Sequence, residues 1–294
     1  MKKTIQLFCY LVLLLGFAFN ILAQTGADNN VVFDQFFQNY YLLNPASVDS
    51  SHRGQVSVGN RSLVGLFDGV NRLYVDGDLR LQKKIANQFS RIGIIVLAFN
   101  DGAFIKKTRV YGRYNWSTRL GMRSSISAGL ALGFVNYSFS ASQAGGGGSS
   151  TVFDGNIGVW YMRRKLKIGL AYQQMVHSIL TPVNQSFELI PYLNVNAIYT
   201  SNLGAHLSLT TNMYFRIQNE KISDFQIAPV FLLHDKFETG INFRYQKGIA
   251  LLCGVKALAI GMGQIRFMGS FLFSTQKLAN NMDNTFELSA GYEF

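Results

Sequence analysis

The stretch from Asn71 to Gln82 reads NRLYVDGDLRLQ, and its side chains alternate between apolar and polar. A period of two sustained over about ten residues is typical of a β-strand whose two faces meet different surroundings. The pattern therefore predicts a long amphipathic strand. One face carries Leu73, Val75, Leu79 and Leu81, and the other carries Arg72, Tyr74, Asp76, Asp78, Arg80 and Gln82.

Two further stretches, His206 to Ile217 and Thr285 to Phe294, repeat this alternation. Strands of globular proteins are usually about 5 to 6 residues long, whereas strands that cross a bilayer need about 9 to 11. The length of these strands therefore favours a membrane β-barrel.

In such a barrel one strand face meets lipid and the other meets the lumen. An Arg or Lys on the lipid side near the bilayer midplane costs about 2–4 kcal/mol. We therefore expect the charged side of the first stretch to face the lumen. The residues concerned are Arg72, Asp76, Asp78 and Arg80.

The composition of the chain agrees with a barrel. Of 294 residues, 48% are hydrophobic and only 15% are charged, whereas about 25% charged residues is usual in a soluble domain. The 14% aromatic content, together with 28 Gly, favours β-structure. The net charge of +11 is spread along the chain with no run of five bases, which argues against nucleic acid as a partner.

The first 23 residues have the pattern of a cleaved signal peptide. Lys2 and Lys3 precede an apolar run from Leu7 to Phe19, and the pattern predicts cleavage after Ala23. After this segment the longest apolar runs are seven or eight residues, far below the roughly 20 that a spanning helix requires. A closed barrel is the remaining way to span a membrane.

The rest of the chain divides into a segment at 24–54, periplasmic or plug-like, and a barrel at 55–294. The fold class is all-β: a single transmembrane antiparallel up-and-down barrel of about fourteen strands, an even number. The stretch Phe225 to Leu233 alternates poorly and contains Pro229, which usually marks a strand edge or bulge. We expect strands to begin near Gln55, Asn71, Arg91, Thr108, Ser125, Phe153, Lys165, Phe187, His206, Phe225, Phe237, Ile249, Ile260 and Thr285.

No constellation in the sequence predicts catalysis, a cofactor or a metal site. His206 with Ser208 and the adjacent pair His234–Asp235 lack a third partner at a recognisable spacing. The four His residues show no i, i+2 or i, i+4 pairing of the kind that holds zinc. The run Gly145 to Gly148 lacks the Lys of a phosphate loop and is interpreted as a flexible connection.

The chain closes on Tyr292-Glu293-Phe294. This ending resembles the last strand of outer-membrane barrels, which alternates apolar residues and finishes on an aromatic one. The resemblance implies that Tyr292 and Phe294 form a barrel-assembly signal. Together with the signal peptide, it predicts a multi-pass barrel in the outer membrane of a Gram-negative bacterium.

Residues 33–46, FDQFFQNYYLLNPA, resemble the opening of the PorP/SprF family of Bacteroidetes membrane proteins. The positions that correspond to the family motif are Phe36, Tyr40, Asn44 and Pro45. Members often carry a Gln-Trp pair where this chain has Ser62-Leu63. Similar stretches cover nearly the whole chain after residue 23: Gly59–Arg61, Ile92–Ile94 through Gly102, Asn136–Ser138, Phe153–Gly158, Ile168–Ala171 and Glu287–Phe294.

The resemblance implies an outer-membrane component of the type IX secretion system, without enzymatic activity. It would support export or surface anchoring of large proteins with a C-terminal sorting domain, or of gliding adhesins, by protein–protein contact. Its expected partners are other secretion components, those exported proteins, and outer-membrane lipid and lipopolysaccharide. The alternative is a diffusion porin or small-molecule channel.

Residues 33–46 are too rich in Phe, Tyr and Leu for a solvated tail, because leaving apolar surface in water forgoes roughly 25 cal/mol per Å². We favour a segment tucked into the periplasmic mouth or the lumen, with Asn44-Pro45 making the turn into the wall. Packing against the periplasmic rim alone, or docking to a partner, are the alternatives.

Overall fold

A computed structural model describes residues 32–48, 52–64, 69–81, 87–141, 146–183, 186–275, 277–278, 281–282 and 284–294. The predicted signal peptide, residues 1–23, lies outside this part of the chain, as do residues 24–31. Among the described residues, no helix has the length and apolar character needed to cross a membrane.

Fourteen antiparallel strands form a closed barrel in which each strand pairs with the next in the chain and the first pairs with the last. The closed all-β fold and the strand number predicted from the alternation are confirmed. The strands are β1 (Gly54–Val64), β2 (Val70–Leu81), β3 (Gln88–Asp101), β4 (Ile105–Gly121), β5 (Ser124–Phe139), β6 (Gly148–Arg163), β7 (Leu166–Gln173), β8 (Tyr192–Asn202), β9 (Leu207–Gln218), β10 (Lys221–Leu233), β11 (Phe237–Arg244), β12 (Gly248–Ile260), β13 (Gly263–Ser274) and β14 (Asn284–Glu293).

Two expected strand starts are wrong. β6 begins at Gly148 and not near Phe153, so Gly148 belongs to the wall and not to the flexible connection expected at Gly145 to Gly148; Gly145 lies outside the described residues. The wall strand expected near Phe187 begins at Tyr192, and Phe187–Glu188 instead pairs with Ile179–Leu180 in a small separate hairpin. The Phe187 ring stacks on Phe139, with 5.5 Å between centroids. A second small hairpin, Lys277–Leu278 with Asn281–Met282, lies in the connection before β14.

Pro229 lies inside β10, as the sequence placed it, and disturbs the wall there. The ladder between β10 and β11 runs from Gln226↔Arg244 to Ile227↔Phe243, and then resumes at Val230↔Gly240. Proline has no N–H to donate to a ladder. The strand therefore persists with a local interruption in its pairing.

The alternation seen in the sequence separates the two surfaces of the wall. In β2, Val75 and Leu79 are 42% and 48% exposed, whereas Asp76 and Asp78 are 1% and 5% exposed. In β5, Leu130, Leu132 and Phe134 are exposed while Val135 is fully buried. In these strands the exposed apolar side chains point outward, and the buried side points into the barrel. The inward side of β3 is itself apolar, with Ile95, Leu97 and Phe99 buried in an interior cluster.

The two ends of the barrel differ. The terminal end carries both chain ends of the wall, Gly54 and Phe294, which are joined by backbone hydrogen bonds of 2.8 and 2.9 Å. Its turns at 122–123 and 164–165 are short. At the loop end, longer connections separate β5 from β6, β7 from β8, and β13 from β14.

Candidate functional site in the barrel lumen

Residues 32–48, here called the plug segment, lie inside the barrel. They form two single turns of 3-10 helix, Phe36–Gln38 and Tyr40–Leu42. The Asn39 side chain caps the second turn by accepting a 3.0 Å hydrogen bond from the Tyr41 backbone N–H. Phe33, Phe36, Tyr41, Leu43 and Ala46 are buried, and these side chains pack against inward-facing residues of the wall.

Near its start the plug segment is held by charge, in what we call the ionic anchor: Asp34, Arg61, Arg244 and Glu287. Asp34 Oδ1 lies 2.5 Å from Arg244 Nη1. The Asp34 and Gln35 backbone N–H groups donate to the two carboxylate oxygens of Glu287, at 2.8 and 3.0 Å. Arg61 reaches both the Glu287 carboxylate and the Val32 carbonyl oxygen, at 3.5 and 3.0 Å.

The ionic anchor lies where the barrel closes. Arg61 in β1 and Glu287 in β14 are direct cross-strand neighbours. Thr285, also in β14, donates a 3.0 Å hydrogen bond to Asp34 Oδ2. Two oppositely charged pairs are therefore buried together and hydrogen-bonded, the condition under which charge is tolerated in an interior.

In the middle of the plug segment, two neighbouring tyrosines contact opposite sides of the lumen. The Tyr40 hydroxyl donates to Asn212 Oδ1 in β9 at 2.6 Å. On the other side, the Tyr41 ring lies beneath the Arg113 guanidinium, 3.3 Å from its centroid. Arg113 also pairs with Asp78, whose other oxygen is 2.8 Å from Arg91 Nη1.

The far end of the plug segment is held by neutral groups, the amide anchor. Asn44 Nδ2 donates to the Val159 and Leu170 carbonyl oxygens, both at 3.1 Å. The Leu43 carbonyl oxygen accepts hydrogen bonds from Gln173 at 2.9 Å and Asn194 at 3.0 Å. These contacts join the segment to β6, β7 and β8.

Three glycines let the amide anchor approach the wall. A Cβ on Gly129 would lie 2.3 Å from the Pro45 backbone. A Cβ on Gly158 would meet Asn44 Oδ1 at 2.1 Å, and one on Gly169 would meet Asn44 Nδ2 at 2.8 Å. Glycine within a strand often marks such a close approach. Sequence reasoning missed this role, although isolated strand glycines were the available signal.

The structure places the four charged residues predicted for the lumen on the inward side of β2. Asp76 is buried against the Asn39 side chain, and Asp78 is buried between Arg91 and Arg113. Arg72 pairs with Asp101 towards the loop end. Arg80 lies exposed at the terminal end, its guanidinium 4.6 Å from the Phe89 ring centroid. They form separate contacts and not one cluster.

All four family-motif residues, Phe36, Tyr40, Asn44 and Pro45, belong to the plug segment. Tyr292 and Phe294 lie at the terminal end, their rings stacked at 5.8 Å between centroids. The Phe294 ring covers Gly54, where a Cβ would be 2.6 Å from it. The last aromatic residue thus covers the first residue of β1.

Parts of the connection between β7 and β8, within residues 174–183 and 186–191, lie inside the loop end of the barrel. Leu180 and Leu189 are fully buried in a cluster that contains Phe33, Tyr41 and Tyr137. The remaining lumen includes a cavity of about 220 Å³, lined by Tyr40 and Tyr41, by Trp160, and by wall residues towards the terminal end. The inward position of Leu180 and Leu189 was not predicted, because a wall strand was expected to begin near Phe187.

The residues considered for catalysis come together differently from the sequence expectation. His206 precedes β9 and His234 follows β10, so the two lie in adjacent turns, where their rings stack with 5.2 Å between centroids. In the part of the chain that the structure describes, no group of three His, Cys, Asp or Glu side chains is placed to hold a metal ion.

The family model for the type IX secretion system membrane protein PorP/SprF matches residues 25–292 of this chain. The chain belongs to the PorP/SprF family. The plug segment and every wall strand of this PorP/SprF protein lie within the matched region, except the last residue of β14. No curated protein matches the chain.

The fold of the PorP/SprF protein is shared with solved outer-membrane barrels. The toluene transporter TbuX of Ralstonia pickettii is similar with a TM-score of 0.56 and 11% identity, over 85% of this chain and 90% of that one. A FadL homologue of Pseudomonas aeruginosa is similar with a TM-score of 0.53 and 10% identity, over 85% and 93%. At such identities the likeness concerns fold alone. Fold and family together support an outer-membrane location.

Proposed function

We propose that this PorP/SprF protein is a closed barrel that supports export or surface anchoring of large secreted proteins, gliding adhesins among them, by contact with its partners. It performs no catalysis and does not conduct small molecules. The observation that carries the proposal is the plug segment, which is buried across the lumen and bonded to opposite walls.

A diffusion channel needs a continuous polar path, and the contacts of the lumen argue against one. From the terminal end, the path meets Tyr40, Tyr41 and the pairs around Asp78. From the loop end, it meets Leu180 and Leu189 above Phe33. Opening this path would require breaking buried ion pairs, and removing one partner of such a pair costs about 3–5 kcal/mol.

The proposed partners follow from the family. They are other type IX secretion components and exported proteins with a C-terminal sorting domain, in an outer membrane of lipid and lipopolysaccharide. In barrels of this membrane the periplasmic turns are short and the extracellular loops long. We therefore assign the terminal end to the periplasm, where exported chains arrive after signal-peptide removal. We further propose that Tyr292 and Phe294 signal assembly; unchanged insertion after deletion of Phe294 would contradict this.

Conductance across a planar bilayer tests the closed state. The intact protein should show little or no single-channel conductance. Deletion of residues 33–41 should produce open channels, provided that heat-modifiable mobility shows an inserted barrel. It removes Asp34 from the ionic anchor, the tyrosines that cross the lumen, and Phe33, which packs with Leu180 and Leu189 at the loop end. A matched control is Phe134→Ala with Phe153→Ala, an edge-to-face pair on the lipid side, which should leave conductance at the level of the intact protein.

Porin-like conductance of the intact protein, unchanged by the deletion, would overturn the closed state. The secretion role has its own measurement: loss of the protein from its host should reduce the amount of exported protein with a C-terminal sorting domain at the cell surface. Unchanged surface display would overturn that part.

A further inference from the structure

Two adjacent turns at the terminal end form a strongly basic rim. Residues 119–125 and 162–168 contain six cations and no Asp or Glu. The turns are neighbours, since Ser124 pairs with Arg163 and the Arg164 backbone N–H donates to the Arg123 carbonyl oxygen at 3.1 Å. The six cations are Arg119, Arg123, Arg163, Arg164, Lys165 and Lys167.

Four of these cations line one groove. Arg119, Arg123, Arg164 and Lys167 surround a cavity of about 440 Å³ that also contacts Val48, near the end of the plug segment. Val48 and Lys167 also line the cavity of about 220 Å³ beneath the plug segment. The groove therefore leads from the rim towards Tyr40 and Trp160.

The groove lies on the lumen side of the wall. Side chains alternate along a strand, so Arg119 lies on the same face of β4 as Asn115 and Ser117, which are buried inside the barrel. Lys167 likewise lies on the same face of β7 as the buried Ala171. The neighbouring outward residue Leu120 is 59% exposed on the lipid side. A ligand in the groove would consequently approach from the aqueous mouth and not from the bilayer.

The four groove cations differ from the arginines deeper in the lumen, whose charges are neutralised by carboxylates. Arg91, Arg113 and Arg244 each pair with a carboxylate. Among the residues that the structure describes, no ion pair involves any of the four groove cations. Like charges held together without counter-charges repel, so the groove favours an anionic ligand. Farther in, the buried Trp160 indole N–H has no hydrogen-bond partner among the described residues, which leaves a donor free for a carbonyl oxygen.

We infer that the groove binds an extended acidic peptide segment of a protein partner. Its carboxylates lie against Arg119, Arg123, Arg164 and Lys167, and its chain runs towards Trp160. This inference rests on the proposed function, because that function supplies a protein partner at the terminal end. The position of the groove on the lumen side favours a peptide over a lipid headgroup.

The test uses the full-length protein in nanodiscs of uncharged phosphatidylcholine and a fluorescent ten-residue peptide of alternating Glu and Ser. The acidic peptide should bind, more weakly as salt rises, and the same peptide with Gln for Glu should not. Changing the four groove cations to Gln should weaken peptide binding by about tenfold or more, because each exposed ion pair contributes modestly to the binding free energy and four are lost together. The matched control removes four cations that do not line the groove, two of them in the same rim: Arg163→Gln, Lys165→Gln, Lys221→Gln and Lys236→Gln.

Equal losses in the two variants would show an effect of overall charge and overturn the inference, as would an absence of peptide binding. Binding of the parent to phosphatidylglycerol vesicles that is lost only in the groove variant, with peptide binding unchanged, would assign the groove to lipid instead. The groove variant should keep the low conductance of the parent, because it leaves the contacts of the plug segment intact. Conductance therefore tests the closed state independently.

Discussion

The plug segment is held on two opposite sides of the barrel by different chemistry. The ionic anchor joins Asp34 to β1, β11 and β14 through buried charges. The amide anchor joins Asn44 and Leu43 to β6, β7 and β8 through neutral hydrogen bonds, over glycines that admit the backbone. The ionic anchor depends on matched charges, and the amide anchor depends on the room left by wall glycines that have no Cβ. The two anchors should therefore respond differently to substitution.

The largest effect is expected from Arg244→Met. It leaves Asp34 buried without the guanidinium 2.5 Å away, and breaking a buried pair by removing one partner costs about 3–5 kcal/mol. The plug segment should become sensitive to protease, and the temperature of heat modification should fall. The double variant Asp34→Asn with Arg244→Met should recover part of the loss, because residue 34 is then neutral and Asp224, the other partner of Arg244 at 3.5 Å, keeps Lys247 at 3.4 Å. A double variant as unstable as the single one would show that the charges do not hold this anchor.

A smaller effect is expected from Gly129→Ala in the amide anchor. The added Cβ would lie 2.3 Å from the Pro45 backbone, and overpacking of this kind typically costs about 1–3 kcal/mol. Protease cleavage should increase near residue 45 while the ionic anchor stays protected. Gly112→Ala, where the nearest contact is at 3.9 Å, is the matched control and should behave like the parent. If the two substitutions had equal effects, the contact between residue 129 and the Pro45 backbone would not be the cause of the increased cleavage.

The smallest effect is expected from Tyr40→Phe, between the two anchors. It removes the 2.6 Å hydrogen bond to Asn212 but keeps the ring against Trp160. One hydrogen bond contributes about 0.5–1.5 kcal/mol. Denaturant unfolding in detergent should show a loss in this range, with the segment still protected from protease. If Tyr40→Phe destabilised the protein as much as Arg244→Met, the ranking of the contacts would be wrong.

The wall was predictable because its signal is local. Alternation along Asn71 to Gln82 and along the last strand sets which side chains face lipid, and the strand number follows from counting such stretches. The contacts of the plug segment are not local: Asp34 meets Glu287, 253 positions away. The sequence predicts that residues 33–46 enter the barrel, but it does not identify the wall residues that they contact. Phe187 misled it because an inward-folded hairpin carries the same short apolar pattern as a wall strand.

The position of the ionic anchor has a consequence for the order of assembly. Asp34 contacts both strands of the closing seam, Arg61 in β1 and Thr285 in β14. β14 follows the other thirteen wall strands in the chain, so the first residues of the plug segment must wait until this strand has been synthesised. Contacts this distant in sequence are slow to form, because the entropy of closing the loop is lost before they stabilise anything. Sealing the wall and occupying its interior are therefore one late, cooperative event, and a chain truncated before β14 should lose both together.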